Sequence, residues 1–100
     1  MQNLGTPPGI RKLARIAGKP GNGDRLRRAL ADLESATRSE PGCREFTFYQ
    51  AISDPDAFVL LEHFVDQAAL DRHMTLEHTR AFFSAQLVSG VKAIDVPDLA

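Results

Sequence analysis

The chain of 100 residues has no tryptophan, a single cysteine at position 43 and a formal net charge of only -1. One cysteine cannot form an intramolecular disulfide, so the sequence favours a reducing compartment and we expect a cytoplasmic protein. A charge this close to zero argues against a dedicated binder of nucleic acids or membrane surfaces. No apolar run approaches the roughly 20 residues of a membrane-spanning helix. The length of 100 residues indicates a single small domain.

The two ends of the chain differ from its middle. Residues 1–9 are rich in glycine and proline and show no periodic apolar pattern, so they are predicted to be a flexible arm. Residues 10–97 contain all of the periodic segments and are predicted to be the folded domain. Residues 98–100 are then a short tail.

The first half of the domain has the pattern of a strand, a helix and a second strand. Residues 10–17 alternate weakly, and residues 24–38 carry apolar side chains at i, i+3, i+4 and i+7, which is the spacing of an amphipathic helix. The stretch Glu40-Pro41-Gly42-Cys43 stops that helix sharply, because proline disfavours helical geometry in the residue before it. Residues 44–51 then alternate as a strand.

The second half begins with a strand over residues 58–65, joined to the previous one by a turn. Asp66 can cap a second helix, and Thr75 can cap a further helical segment that Gly90 ends. A last strand follows over residues 91–96. The order β-α-β-β-α-β predicts a ferredoxin-like α+β fold.

The third predicted strand is apolar on both of its faces. One face carries Glu62 among apolar residues, and the other carries Val59, Leu61 and Val65. A four-stranded sheet with two helices covers only one of its faces, whereas a strand that is apolar on both sides is typical of burial on both sides. We therefore predict a homodimer in which two sheets pack face to face, so that two subunits form a dimeric α+β barrel.

A set of short segments, in a fixed order along the chain, resembles the antibiotic biosynthesis monooxygenase domain family of small dimeric α+β barrel proteins. The resemblance covers residues 10–96. It is carried by Gly18-Lys19-Pro20-Gly21, Glu40-Pro41-Gly42-Cys43, Phe46, Phe58, Leu60, Glu62, Phe64, Ala69-Leu70, His73, His78 and Phe82.

Members of that family differ in activity: some oxygenate aromatic polyketides or quinols without a bound cofactor, some degrade haem, and some process small signalling metabolites. The haem-degrading pattern of Asn, Trp and His is absent, since Ala14, His73 and Phe83 stand at those positions. Phe64 replaces the tryptophan typical of the polyketide oxygenases. The resemblance implies a cofactor-independent monooxygenase acting on a smaller phenol or quinol. The alternative is a non-catalytic or isomerase-like dimer that binds a small metabolite.

His73 and Glu62 are the candidate catalytic residues. His73 lies three positions after Leu70 and so points toward the sheet, where it could act as a general base near neutral pH or be a core histidine bonded to a backbone carbonyl or to Glu62. A carboxylate on an apolar face needs a partner, and Arg15 is the preferred one for Glu62, which could instead orient His73 as a catalytic histidine. If that pair borders the pocket, Arg15 could hold an anionic group of the substrate.

Aromatic side chains could line a flat pocket for the substrate, although such stripes are also typical of plain core. A metal site is not expected, because His78 stands five residues after His73 instead of the four that let two histidines of one helix share an ion. The predicted pocket residues are Phe46, Phe48, Phe64, His78, Phe82, Phe83 and Arg15.

Overall fold

Four antiparallel strands form one sheet in the computed structural model, which describes residues 9–96. In chain order the strands are β1 (Ile10–Gly18), β2 (Cys43–Gln50), β3 (Ala57–Phe64) and β4 (Val88–Asp95). They lie side by side as β2-β3-β1-β4, which is the ferredoxin-like arrangement predicted from the sequence. The predicted tail and all of the predicted arm except Gly9 lie outside the described residues.

Within residues 9–96, three helices pack on one face of this sheet: α1 (Gly23–Arg38), α2 (Gln67–Thr75) and α3 (Glu77–Ser84). Helix α1 buries one stripe, formed by Leu26, Leu30, Leu33 and Thr37. These positions recur every three or four residues, as the periodicity of an amphipathic helix requires. None of the helices in residues 9–96 is long and apolar enough to cross a membrane.

The residues that begin and end the two short helices differ from the prediction, except for Asp66 at the start of α2. The Asp66 carboxylate accepts a hydrogen bond from the Ala69 N–H at 2.8 Å and caps α2 as expected. Thr75 does not cap α3, because it ends α2 and its hydroxyl donates to the Arg72 carbonyl at 2.8 Å. Gly90 does not end the helical segment either, since it lies within β4.

Strand alternation gives the sheet two different faces. On the helix side, Phe46, Phe58, Leu60 and Phe64 are buried together with the apolar stripe of α1. The opposite face, which we call the open face, carries half-buried Leu13, Val59 and Leu61 and half-exposed Tyr49 and Ile94. None of the helices in the described part of the chain covers the open face, so this face is turned to solvent in the single chain.

Candidate functional site

A cavity of about 350 Å³ lies between the helix-side face of the sheet and helices α2 and α3. Its size is at the lower end of the range for small-molecule sites. Half-exposed Met74, Phe83 and Val91 line it at the protein surface. Most of its wall is apolar, and the polar or charged residues that reach it are Lys12, Glu62, Gln67, Asp71, His73 and Thr79.

His73 is buried in the wall of this cavity, as its spacing from Leu70 predicts. The centroid of its ring lies 5.2 Å from that of Phe46 and 5.1 Å from that of Phe64. These aromatic neighbours fix the plane of the imidazole and exclude water from its faces. The remaining freedom of the ring depends on what its two nitrogens contact.

Glu40 holds one of those nitrogens. Its Oε2 lies 2.8 Å from His73 Nδ1, and its side chain is only 8% exposed. Because a carboxylate can only accept a hydrogen bond, this contact favours the tautomer with its proton on Nδ1 and leaves Nε2 as the ring nitrogen that Glu40 does not contact. The sequence-based hypothesis that Glu62 orients His73 is thus wrong, because Glu40 is the residue in contact.

The turn after α1 brings Glu40 to this position. The Glu40 N–H donates to the Thr37 carbonyl at 2.9 Å, which closes the last turn of the helix. Gly42 then lets the chain pass close to α2, where an added Cβ would collide with the side chain of Ala69. Sequence reasoning identified this stretch as a helix stop and missed Glu40. The available signal was a carboxylate placed directly before the turn that returns the chain to the sheet.

His78 contacts the same oxygen of the Glu40 carboxylate. Its Nε2 lies 2.6 Å from Glu40 Oε2, and its side chain is 28% exposed. The Thr79 hydroxyl lies 3.3 Å from His73 Nδ1. His78 does not line the cavity, so the structure places it behind His73 and not in the predicted substrate pocket.

Glu62 lies on β3 and lines the cavity, where it is buried. Desolvation raises the pKa of Glu62 to about 7, and the positive charge of Lys12 opposes that rise. Lys12 is the residue opposite Glu62 on β1, and its ammonium also lies 2.7 Å from Asp95 Oδ1. Glu62 is therefore a carboxyl group whose proton is exchanged near neutral pH inside an apolar cavity.

The predicted ion pair between Arg15 and Glu62 is wrong. Arg15 pairs across the strands with Val59, and cross-strand partners share a face of the sheet. Since successive residues of a strand point to opposite faces, Arg15 lies on the open face and Glu62 on the helix side. Arg15 borders a separate depression there, with Tyr49, and is not part of the cavity around His73.

Of the aromatic residues predicted to line the pocket, Phe46, Phe48, Phe82 and Phe83 do so. Phe64 is fully buried beside His73 and belongs to the core. The aromatic wall comes from β2 and α3, so both must be in place before the cavity exists.

Comparisons with known proteins identify a family and several structural relatives. The family model of antibiotic biosynthesis monooxygenases matches residues 9–85. Rv0793 of Mycobacterium tuberculosis, a presumed monooxygenase, is 33% identical over 66 residues, which make up 66% of this chain and 64% of that protein. The matched stretch thus spans less than two thirds of the relative's own length.

Solved structures extend the similarity to nearly the whole chain. PA3566 of Pseudomonas aeruginosa superposes with a TM-score of 0.88 at 31% identity, over 95% of this chain and 98% of the other. The structure of Rv0793 superposes with a TM-score of 0.80 at 25% identity, over 92% and 96% of the two chains.

Proposed function

Because the chain belongs to the antibiotic biosynthesis monooxygenase family, we propose that it is a monooxygenase that oxidises a small phenol or quinol in the cavity around His73. The observation that carries this proposal is the environment of His73. Its ring lies in an apolar, aromatic-lined cavity with Nδ1 held by Glu40, so that Nε2 is the nitrogen able to take a proton from a substrate.

In the proposed reaction Nε2 of His73 accepts the proton of a phenolic hydroxyl. The resulting phenolate is electron-rich and can reduce dioxygen directly, so the substrate itself supplies the electrons. For a quinol the balance is simple: the quinol gives up four electrons, one oxygen atom enters the ring to give a hydroxyquinone, and the other leaves as water. Apolar walls favour this step because they exclude bulk water from the reactive anion.

We propose that Glu62 transfers the proton of the second quinol hydroxyl, whereas His73 accepts that of the first. Its pKa of about 7 means that both of its protonation states are populated near neutral pH. A carboxyl group of that kind can deliver a proton to reduced oxygen and take one from the second hydroxyl of a quinol. Its place in the lining of the same cavity as His73 is what supports this role.

Oxygen uptake with a panel of benzo- and naphthohydroquinones tests the proposal. His73→Asn should lower kcat by at least about 100-fold, because a general base typically contributes at least this factor to the rate. His63→Gln is the matched control, because His63 lies on the opposite face of β3, and it should retain the wild-type rate. Uptake that never exceeds that of His73→Asn, after subtraction of autoxidation, would refute the proposal.

A second candidate function is supported by the same pair of groups. A base and a carboxyl group that line one cavity could shuttle a proton between two carbons or oxygens of a bound metabolite, which is the chemistry of an isomerase. Recovery of an isomer without oxygen uptake would favour this function. A ligand that raises the melting temperature and is recovered unchanged would instead indicate a binding protein.

We also propose that a second copy of the chain covers the open face, as the two-sided apolar pattern of β3 suggests. Leu61→Asp should dissociate the dimer, because an unpaired charge in an apolar interface costs several kcal/mol (about 3–5). Ala31→Asp, on the exposed side of α1, is the control and should leave it intact. Sedimentation of the wild-type protein as a monomer at micromolar concentration would contradict this proposal.

A further inference from the structure

We propose that Glu40, His73 and His78 form a binding site for a divalent transition-metal ion such as Zn²⁺. We further infer that loading this site removes the basic nitrogen of His73 from the cavity. The second statement rests on the proposed function, whereas the first depends only on the three side chains.

The three donor atoms are already gathered. His73 Nδ1, His78 Nε2 and a Glu40 carboxylate oxygen lie within 4.8 Å of one another. Two imidazole nitrogens and one carboxylate form a donor set that proteins use for zinc and for non-haem iron, with further positions left open for water. Glu40 contributes the negative charge that a cation requires.

The distances fit an ion after a small adjustment. The two nitrogens stand 2.8 Å and 2.6 Å from Glu40 Oε2. Around a tetrahedral zinc ion with bonds of about 2.0–2.1 Å, neighbouring donors lie about 3.3 Å apart. To open that space, the Glu40 oxygen must move away from both nitrogens, by at least about 0.5 Å from His73 Nδ1 and about 0.7 Å from His78 Nε2.

The spacing argument against a metal site fails for a structural reason. Histidines five residues apart cannot share an ion on one continuous helix, but α2 and α3 are separate helices. Leu76 between them has an extended backbone, with φ of -73° and ψ of 153°. This break turns His78 back toward the carboxylate that His73 already contacts.

The site also has a route for the ion. The side chains of His73 and Glu40 are 5% and 8% exposed, whereas that of His78 is 28% exposed. An ion can therefore arrive from solvent beside His78, on the side of His73 that faces away from the cavity. Water can occupy the remaining coordination position there.

Binding of a metal ion at this site would change the tautomer of His73. Without an ion, Nδ1 carries the proton that Glu40 accepts, and Nε2 is unprotonated. When an ion takes the Nδ1 lone pair, the neutral ring must carry its proton on Nε2. That nitrogen can then no longer accept a proton from a substrate. Zn²⁺ is accordingly expected to inhibit oxidation, and a chelator to restore it.

Titration calorimetry of tag-free, chelator-treated protein with ZnCl₂ tests the site directly. We expect one ion per chain, with affinity reduced at least tenfold by His78→Gln and by Glu40→Gln and unchanged by His63→Gln. Substitution with Co²⁺ should give the visible absorption of a four- or five-coordinate ion. Absence of binding, or binding that survives both site variants, would overturn the proposal.

Nitrogen NMR of the wild-type histidines makes the test independent of any variant. Zinc should shift the ring signals of His73 and His78 together and move the His73 proton from Nδ1 to Nε2. Signals of both rings that are unaffected by zinc would also overturn the proposal. These readouts require no turnover, so a failed metal site and a failed monooxygenase are distinguished: a protein that binds zinc but shows no quinol oxidation even when it is free of metal refutes only the latter.

Discussion

Two carboxylates of residues 9–96 lie on the helix side of this protein in opposite surroundings. Glu40 is half-buried as a residue, although its side chain is only 8% exposed, and it contacts two imidazoles, whereas Glu62 is buried in the wall of an apolar cavity, where desolvation raises its pKa to about 7. Their contacts distinguish the two carboxylates more than their burial does. Hydrogen-bond donors fix Glu40 as an acceptor, and the lack of a strong charge partner makes Glu62 a group that exchanges protons.

Removing the Glu40 side chain should lower the free energy of unfolding more than the other substitutions do. Glu40→Ala leaves the buried Nδ1 proton of His73 without its acceptor, and an unsatisfied buried donor costs about 1–3 kcal/mol, whereas His78 is partly exposed and can turn its Nε2 proton to water. We expect the free energy of unfolding to fall by about 3 kcal/mol in urea titrations at fixed protein concentration. Asp32→Ala, on the exposed side of α1, is the control and should change it by less than about 0.5 kcal/mol. Equal losses in the two variants would show that the contacts to Glu40 contribute nothing.

Replacing Glu62 should raise the free energy of unfolding instead of lowering it. Because the pKa of Glu62 is raised from 4.5 to about 7, the folded state keeps a proton that the unfolded state releases between those values. The contribution to stability is fully present below pH 4.5 and is lost as the pH rises through 7. Glu62→Gln imitates the protonated form at every pH.

The difference in unfolding free energy between Glu62→Gln and wild type should thus be near zero at pH 4. It should reach about 3 kcal/mol in favour of the variant at pH 8. Urea titrations at the two pH values measure it, and groups that titrate in both proteins cancel. A variant that is less stable than wild type at pH 8 would indicate that Glu62 has a stabilising partner.

The position of Glu40 depends on a glycine, which gives a third prediction. A Cβ at residue 42 would collide with Ala69, so Gly42→Ala must push the turn away from α2. Overpacking of this kind costs about 2 kcal/mol, and the displaced turn should also weaken the contact between Glu40 and His73.

Gly90→Ala is the matched control, because nothing lies within 4 Å of an added Cβ there. Thermal unfolding, together with NMR of the His73 ring, separates the two variants. A Gly42→Ala protein with wild-type stability and an unchanged His73 signal would show that the turn can shift without cost. Glu62, which is held by a central strand, should keep its titration in both variants.

The elements, the inward direction of His73 and most of the aromatic lining could be predicted from the sequence because each depends on local periodicity. A helical stripe over α1 and alternation along β3 determine which side chains face inward, whatever the rest of the chain does. The ferredoxin-like order followed from those elements. The family resemblance was confirmed by the match over residues 9–85.

The parts that escaped prediction are set by contacts between distant residues. Strand register placed Lys12, not Arg15, opposite Glu62, and periodicity alone does not determine register. The contact between Glu40 and His73 joins residues 33 apart in sequence. A break between two helical segments was predicted at Thr75, but not the turn of His78 toward Glu40 that follows from it. Each of these features arises from tertiary packing, and together they define the site.

The smallest expected effect concerns Lys12, whose charge opposes the rise in the pKa of Glu62. Lys12→Met should raise that pKa further, as measured by carbon NMR of the Glu62 carboxyl group. Stability should change by only about 0.5 kcal/mol, because the ion pair of Lys12 with Asp95 is largely exposed. Asp95→Asn removes the same ion pair but keeps the ammonium, so it should not raise the pKa. If both variants raise it equally, the pair, and not the charge of Lys12, controls Glu62. If neither does, burial alone sets its protonation, and the contrast with Glu40 is one of hydrogen bonding only.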